Sequence, residues 1–148
     1  MDSFDNIKDK LMTAKECCWI ETNDKWHYVS NNEGIDKVKE GKHVVVFEGF
    51  DTNPFTDITN DLLIEGEGDP TIHVYISPKG ATSVYEHRDP CYVVFYCLDG
   101  TKTMRLDGIE YSIDKGEHMV IEPNTPHCAT NKHYSITLSI GFENKLLT

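Results

Sequence analysis

Long hydrophobic runs are missing from this sequence. No stretch approaches the length needed to span a membrane, and the first ten residues, MDSFDNIKDK, contain no apolar core of the kind found in a signal peptide. We therefore expect a cytoplasmic protein with no membrane partner.

The five cysteines, an odd number, form no Cys-x-x-Cys pattern, which argues against a disulfide framework or a thiolate zinc site. We expect all five to be free thiols.

Positive charge is also scarce. Lysine and arginine total 14 against 25 aspartates and glutamates, which gives a formal net charge of -11, and the basic residues form no run. Such a surface repels phosphate backbones, so nucleic acid is not an expected partner.

Internal repeats, low-complexity tracts and linkers are absent too. With 148 residues, 39% of them hydrophobic, the chain is expected to form one globular domain over residues 1–148.

The first part of the chain carries helical patterns. In the segment SFDNIKDKLMTAK, either Asp2 or Ser3 is suited to cap a helix. A second short helix is predicted through Ile35 and Val38, ending at Gly41. The first prediction depends on apolar residues at helical spacing, namely Phe4, Ile7, Leu11 and Ala14.

From about residue 43 the pattern changes to short strands separated by turn residues. Many short strands with frequent turns predict a mainly β sandwich or barrel, and the pattern leaves a jelly roll, a Greek-key sandwich and a lipocalin-like barrel open. Asp107-Gly108 marks a tight hairpin, and Asp99-Gly100 a second turn. We place a helical and strand lead-in over about 1–70 and the barrel over about 71–142. The strand-like runs are HVVVFEGF, TIHVYIS, CYVVFYCL, TMRLDG, IEYSID, HMVIEP and YSITLSIGF.

A candidate metal site begins at His87-Arg88-Asp89. Residues i and i+2 of a strand point to the same face, so His87 and Asp89 can reach one ion. The best third ligand is His127, which follows two prolines that stiffen its turn. Two imidazoles and one carboxylate leave coordination positions open, as in non-haem Fe(II) oxygenases. Two other histidines at strand starts, His118 and His133, are rivals for the third position.

Residues 75–142 resemble the cupin superfamily, in particular its JmjC and cupin-like 2-oxoglutarate-dependent oxygenases. The segment YISPKGATSVYEHRDP is similar to their G-x-x-T-x-x-H-x-D motif, FYCLDGTKTMRL to their G-x-K-x-x-x-L strand, and GEHMVIEPNTPHCATN to their second histidine motif. The resemblance implies a double-stranded β-helix in which His87, Asp89 and His127 bind Fe(II) as the catalytic metal. It also implies that Lys102 binds the distal carboxylate of 2-oxoglutarate, because the protein-hydroxylase branch has its lysine at this separation from the first ligand.

Other co-substrate contacts follow from the same resemblance. The family's co-substrate threonine falls at Val84, with Ser83 and Thr82 offset from it by one and two positions, and we take Thr82 as the candidate. Tyr75 is the preferred hydroxyl donor. Strand parity does not decide between it and two other tyrosines, Tyr85 and Tyr96. His73 alternates with Tyr75 in TIHVYIS and is expected to line the barrel.

The residues themselves are consistent with a buried anion site at Lys102. A lysine drawn into a barrel needs an anionic partner, because an unpaired buried ammonium is unfavourable. The alternative is that Lys102 points outward as an ordinary charge on the strand, with Arg105 on the opposite face. The leading hypothesis is an Fe(II)- and 2-oxoglutarate-dependent dioxygenase that hydroxylates a small molecule or a protein side chain. A metal cupin that does not use 2-oxoglutarate, and a non-catalytic binding module, remain as alternatives, and a homodimer is compatible with each.

Overall fold

The computed structural model describes residues 3–22, 24–51, 53–58, 70–83 and 85–142, so Asp2 and Val84 lie outside the described residues. The fold is mainly antiparallel β with two short helices. The elements are α1 (Ser3–Leu11), β1 (Glu16–Thr22), β2 (Lys25–Val29), α2 (Asn31–Glu40), β3 (Val45–Phe50), a 3-10 turn (Asn53–Phe55), β4 (Thr71–Ser77), β5 (Tyr92–Leu106), β6 (Ile109–Asp114), β7 (His118–Ile121), β8 (His127–Ala129) and β9 (Ser135–Phe142).

Both predicted helices are present. α1 begins at Ser3, so this residue is helical and does not precede the helix as a cap. α2 starts with a capping box, in which the side chains of Ser30 and Glu33 each accept a hydrogen bond from the other's backbone N–H. It stops at Gly41, whose φ of 70° is the left-handed conformation that glycine adopts without strain. Among the described residues, no helix is both long and apolar enough to cross a bilayer.

β5 is the strand that joins the two halves of the β structure. Its first part pairs with β9 on one side and β7 on the other, in the sheet that continues through β4, β3, β1 and β2. Its second part pairs with β6 and β8. The change of partners follows a register shift between Cys97 and Asp99, and Gly100 has a φ of 70° there. A bulge of this kind bends a strand, so one strand crosses from one sheet to the other.

Three sequence predictions are corrected by this topology. Asp99-Gly100 is not a turn between two strands but lies inside β5, because the ladder to β9 continues through it. The β structure begins at Glu16 and not near residue 43, since β1 and β2 form a hairpin that extends the larger sheet. His87 and Asp89 lie in an irregular segment, not in a strand. The hairpin at Asp107-Gly108 is confirmed, with positive φ at both residues.

The two faces of the larger sheet have different roles. On one face, Val74 and Leu138 pack with the helical residues Leu11 and Ile35 in the main hydrophobic core. On the other face, a second apolar cluster lies between the sheets and includes Phe95. Alternation along each strand therefore separates side chains that support the helices from side chains that face the barrel interior.

Candidate metal centre

His87 and His127 are brought together by the backbone. They form an isolated antiparallel bridge in which each backbone N–H donates to the other's carbonyl oxygen, over 3.0 and 2.9 Å. His127 is also the first residue of β8, where it pairs with Leu106 of β5. Two residues that are forty positions apart in the chain are thus held in register by a pair of hydrogen bonds, and their rings lie 4.4 Å apart.

Asp89 completes the cluster. Its Oδ2 lies 3.1 Å from Nε2 of His127 and 3.7 Å from Nε2 of His87. One ligand atom from each of the three residues falls within 4.8 Å of the others, and no further group of three such residues occurs in the described part of the chain. His127 is 1% exposed, whereas His87 remains open to solvent. The site is therefore buried on the side of His127 and accessible to solvent on the side of His87.

Hydrogen bonds determine which nitrogen of each ring faces the centre. Nδ1 of His87 lies 2.8 Å from the carbonyl oxygen of Tyr85, and Nδ1 of His127 lies 2.8 Å from that of Thr125. A carbonyl only accepts, so each Nδ1 carries a proton and donates it. Each Nε2 is then the ring nitrogen that faces Asp89. Ligating histidines are typically oriented in this way by a hydrogen bond to the second ring nitrogen.

Hydrogen bonds attach the segment that contains Asp89 to the turn before β8. The backbone N–H of Asn124 donates to the carbonyl oxygen of Asp89 over 2.7 Å, and Nη1 of Arg88 donates to the carbonyl oxygen of Asn124 over 3.0 Å. On the other side of the turn, the N–H of Asp107 donates to Pro126 over 2.8 Å. The ligands thus sit on backbone that is tied at several points, although it is not a regular strand.

The donor set fits a divalent cation. Two imidazole nitrogens and one carboxylate oxygen converge on one point, and such an arrangement is stabilised by a positive ion. Two histidines and one carboxylate on one side of an ion are suited to Fe(II) and similar divalent metals. The two rivals do not share this environment: His118, which starts β7 opposite Tyr96, and His133 are both exposed and lie outside the cluster.

A cavity of about 400 Å³ extends inward from the triad. Lys102 lines this cavity and is 2% exposed, so its side chain points into the barrel while Arg105, as expected, is exposed. No described carboxylate forms an ion pair with its ammonium, and the ring of Tyr75 lies 5.7 Å from its Nζ. Burial lowers the pKa of Lys102 to about 8, and the nearby Cys97 opposes this shift to a smaller extent. The cavity therefore contains a buried ammonium that no carboxylate of the described residues pairs with.

Comparison with known proteins agrees with this architecture. A family model described as "Cupin domain" matches residues 73–139, which include the strands that line the cavity and all three members of the triad. The fold is that of a cupin. No protein of curated function matches the sequence significantly.

Solved structures of other proteins have a fold similar to that of this chain. The ribosomal oxygenase YcfD from Escherichia coli, in complex with cobalt and 2-oxoglutarate, is 18% identical with a TM-score of 0.69, over 94% of this chain and 43% of that one. The EutQ protein of Clostridium difficile is 16% identical with a TM-score of 0.51, over 77% and 79% of the two chains. At these identities the likeness establishes the fold alone, and this chain spans less than half of the YcfD chain.

The lining of the cavity shows which of the candidate tyrosine and threonine hydroxyls could reach a ligand bound there. Tyr75 lines it, and burial raises the pKa of its phenol, so the hydroxyl remains protonated as a donor. Tyr96 packs on the opposite face of the sheet against the helix-side core, and Tyr85 is exposed. The structure does not bring Thr82 to the cavity: its side chain is exposed, while the neighbouring Ser83 lines the cavity instead.

Sequence reasoning assigned no role to two polar residues of the cavity wall. His73, expected to line the barrel, does so, and Ser139 of β9 lies beside it. Alternate residues of the strand YSITLSIGF share a face, so Ser139 lies on the same face as Ser135 and Thr137. This alternation is the feature of the sequence that could have identified Ser139 as a residue of the cavity wall. None of the five cysteines is joined to another in a disulfide.

Proposed function

We propose that this protein is an Fe(II)- and 2-oxoglutarate-dependent oxygenase that hydroxylates a small molecule or a protein side chain. The observation that carries the proposal is the combination, in one cavity, of a two-histidine, one-carboxylate cluster with the buried, unmatched cation of Lys102. A metal alone would satisfy the first feature. A bound anion is needed to satisfy the second.

His87, Asp89 and His127 would hold the ion through Nε2, Oδ2 and Nε2. When bound, Fe(II) together with 2-oxoglutarate activates O2, and one oxygen atom enters the substrate while the other enters succinate as CO2 is lost. The chain supplies orientation for this reaction. The Nδ1 hydrogen bonds to the carbonyl oxygens of Tyr85 and Thr125 turn both imidazoles so that Nε2 faces the ion, and the open side at His87 leaves access for a substrate.

Lys102 and Tyr75 would bind the distal carboxylate of the co-substrate. An ammonium inside a low-dielectric cavity gains most from a carboxylate that arrives with the ligand, because such a charge-assisted contact is strong where water is excluded. The protonated hydroxyl of Tyr75 can donate to the same group. The cobalt and 2-oxoglutarate bound by E. coli YcfD, whose fold is similar, support this assignment.

The test is a calorimetric titration of 2-oxoglutarate into anaerobically purified, Mn(II)-loaded protein. We expect binding by the parent and a loss of roughly tenfold to a hundredfold in Lys102→Ala, with unchanged metal affinity. Lys132→Ala is the matched control, since that lysine is exposed and pairs with Glu110. Absence of binding by the parent at millimolar 2-oxoglutarate would reject the proposal and favour a metal cupin of another kind.

A further inference from the structure

β6 forms one edge of the β structure. It pairs with β5 on one side, and no described strand lies along its other side. Free edges of this kind are commonly protected by a proline, a lysine, a bulge or a very short strand. β6 has six residues, IEYSID, with neither proline nor lysine, and its register with β5 is regular throughout. The edge is therefore open to pairing with a further strand.

The other edge strands of the described chain are less suited to such pairing. β2, at the far end of the larger sheet, has five residues and begins with Lys25, and its pairing with β1 shifts register between Ile20 and Thr22. β7 has only four residues. Length and regularity thus distinguish β6 from both.

The inner face of β6 carries apolar side chains that the described chain leaves exposed. Ile113 is buried between the sheets, whereas Ile109 and Tyr111, on the same face, are 58% and 43% exposed. Ile109 pairs with Leu106, which in turn pairs with His127, so this face continues the wall that holds the metal ligand. A further strand beside β6 would extend that wall and cover both exposed side chains.

The hairpin between β5 and β6 determines which backbone groups point to the free edge. Asp107 and Gly108 both have positive φ, as in a two-residue type I′ turn. In such a hairpin the residues next to the turn exchange hydrogen bonds, and every second pair after them does the same. Ile109 and alternate residues after it therefore bond to β5, while the N–H and C=O groups of Glu110 and Ser112 point away from it.

We propose that two copies of this chain pair through β6, antiparallel and about a two-fold axis at Tyr111. In this register Glu110 of one copy exchanges two backbone hydrogen bonds with Ser112 of the second copy, and the symmetric pair does the same. The two Tyr111 side chains meet on the axis, and Ile109 lies opposite Ile113 of the second copy. The interface goes beyond the proposed function, since it requires neither metal nor co-substrate.

The charges along β6 agree with this register. Asp107, at one end of the strand, faces Lys115 of the second copy, just beyond the other end, and both side chains are exposed. Glu110 lies opposite Ser112 of the second copy and is already paired with Lys132 of its own chain, over 2.7 Å. Like charges directly opposite each other destabilise a strand pair, and none of the pairs in this register brings them together.

Sedimentation equilibrium in 0.15 M salt, which screens the net charge of -11, tests the interface. We expect the parent to form a dimer at micromolar concentration. Tyr111→Lys places two ammonium groups opposite each other on the axis and should raise the dimer dissociation constant by about tenfold. Tyr28→Lys makes the same change at an exposed tyrosine of β2 and should leave the constant unchanged.

Cysteine cross-linking tests the register. Tyr111→Cys brings two Cα atoms about 4.5 Å apart across the axis, which is within the range for a disulfide. In Ile109→Cys the two thiols are offset by four residues, roughly 13 Å along the strands, and cannot join. After mild oxidation we expect a covalent dimer from Tyr111→Cys alone, with the parent, which has five cysteines, as a further control.

Each alternative outcome would overturn the proposal. A parent that stays monomeric has no such interface. A dimer that persists in Tyr111→Lys, or that dissociates in Tyr28→Lys, forms through another surface, and equal cross-linking of the two cysteine variants would reject the register. Tyr111 is exposed, so its variants should remain folded by circular dichroism, and Tyr111→Cys keeps the test decisive if Tyr111→Lys does not.

Discussion

Replacing Lys102 with methionine should stabilise the ligand-free protein at neutral pH. The ammonium is 2% exposed, and no described carboxylate pairs with it, so the folded state holds a charge that water solvates better. Methionine retains a long flexible stem and removes the charge. Most substitutions at buried positions destabilise a protein, so the opposite sign is a specific consequence of this environment.

The magnitude follows from the pKa of the lysine. Burial lowers it from an ordinary 10.5 to about 8, and one pKa unit corresponds to about 1.4 kcal/mol, so the charged form costs the folded state roughly 3 kcal/mol. Between these two values the unfolded chain binds more protons than the folded one. The destabilisation is therefore complete below pH 8 and disappears as the pH rises towards 10.5. Allowing for imperfect packing of the new side chain, we expect a gain of about 1–3 kcal/mol at pH 7.

Urea unfolding of the metal-free parent and Lys102→Met, at pH 7 and again near pH 10, measures this gain. The variant should have the higher midpoint at pH 7, and the difference should shrink near pH 10, while Lys132→Met at an exposed lysine changes little. A midpoint for Lys102→Met equal to or below that of the parent at pH 7 would refute the reasoning. So would a difference that persists at the higher pH.

Three further predictions concern the metal, the backbone and the thiols. His127→Ala should abolish stoichiometric Mn(II) binding while His118→Ala leaves it intact; tight binding by His127→Ala would disprove the ligand assignment. Gly100→Ala should destabilise the fold by roughly 2–4 kcal/mol in chemical denaturation, because its Cβ would overlap the carbonyl oxygen of Tyr134 at a φ of 70°. Gly116→Ala, at a φ of 88° with open space around it, should cost only about 1 kcal/mol, so equal losses would contradict the steric argument. Thiol titration of unfolded, non-reduced protein should find all five cysteines reactive, and a lower count would indicate an oxidised thiol.

Local chemistry made part of this protein predictable from its sequence. The Asp107-Gly108 hairpin, the helix ending at Gly41 and the alternating strands depend on neighbouring residues, so short patterns report them directly. The His-x-Asp pair and His127, which the structure brings together, were identifiable as candidate ligands because a metal site needs particular donor atoms. The resemblance of residues 75–142 to cupins, which identified Lys102, depends on motifs of the same local kind.

Long-range packing decided the rest. The β1–β2 hairpin exists because it extends a sheet whose other strands lie far along the chain. The bulge at Gly100 lies within β5, which joins the two predicted strands CYVVFYCL and TMRLDG into one. The same bulge determines which side chains after Gly100 face the barrel interior. Parity could not choose between Tyr75 and Tyr96, and only the structure shows that Ser83, not Thr82, lines the cavity. The hydrogen bond that Nδ1 of His73 accepts comes from the backbone N–H of Gly49, on another strand. Each of these outcomes required atoms distant in sequence to meet, and only the tertiary structure brings them together.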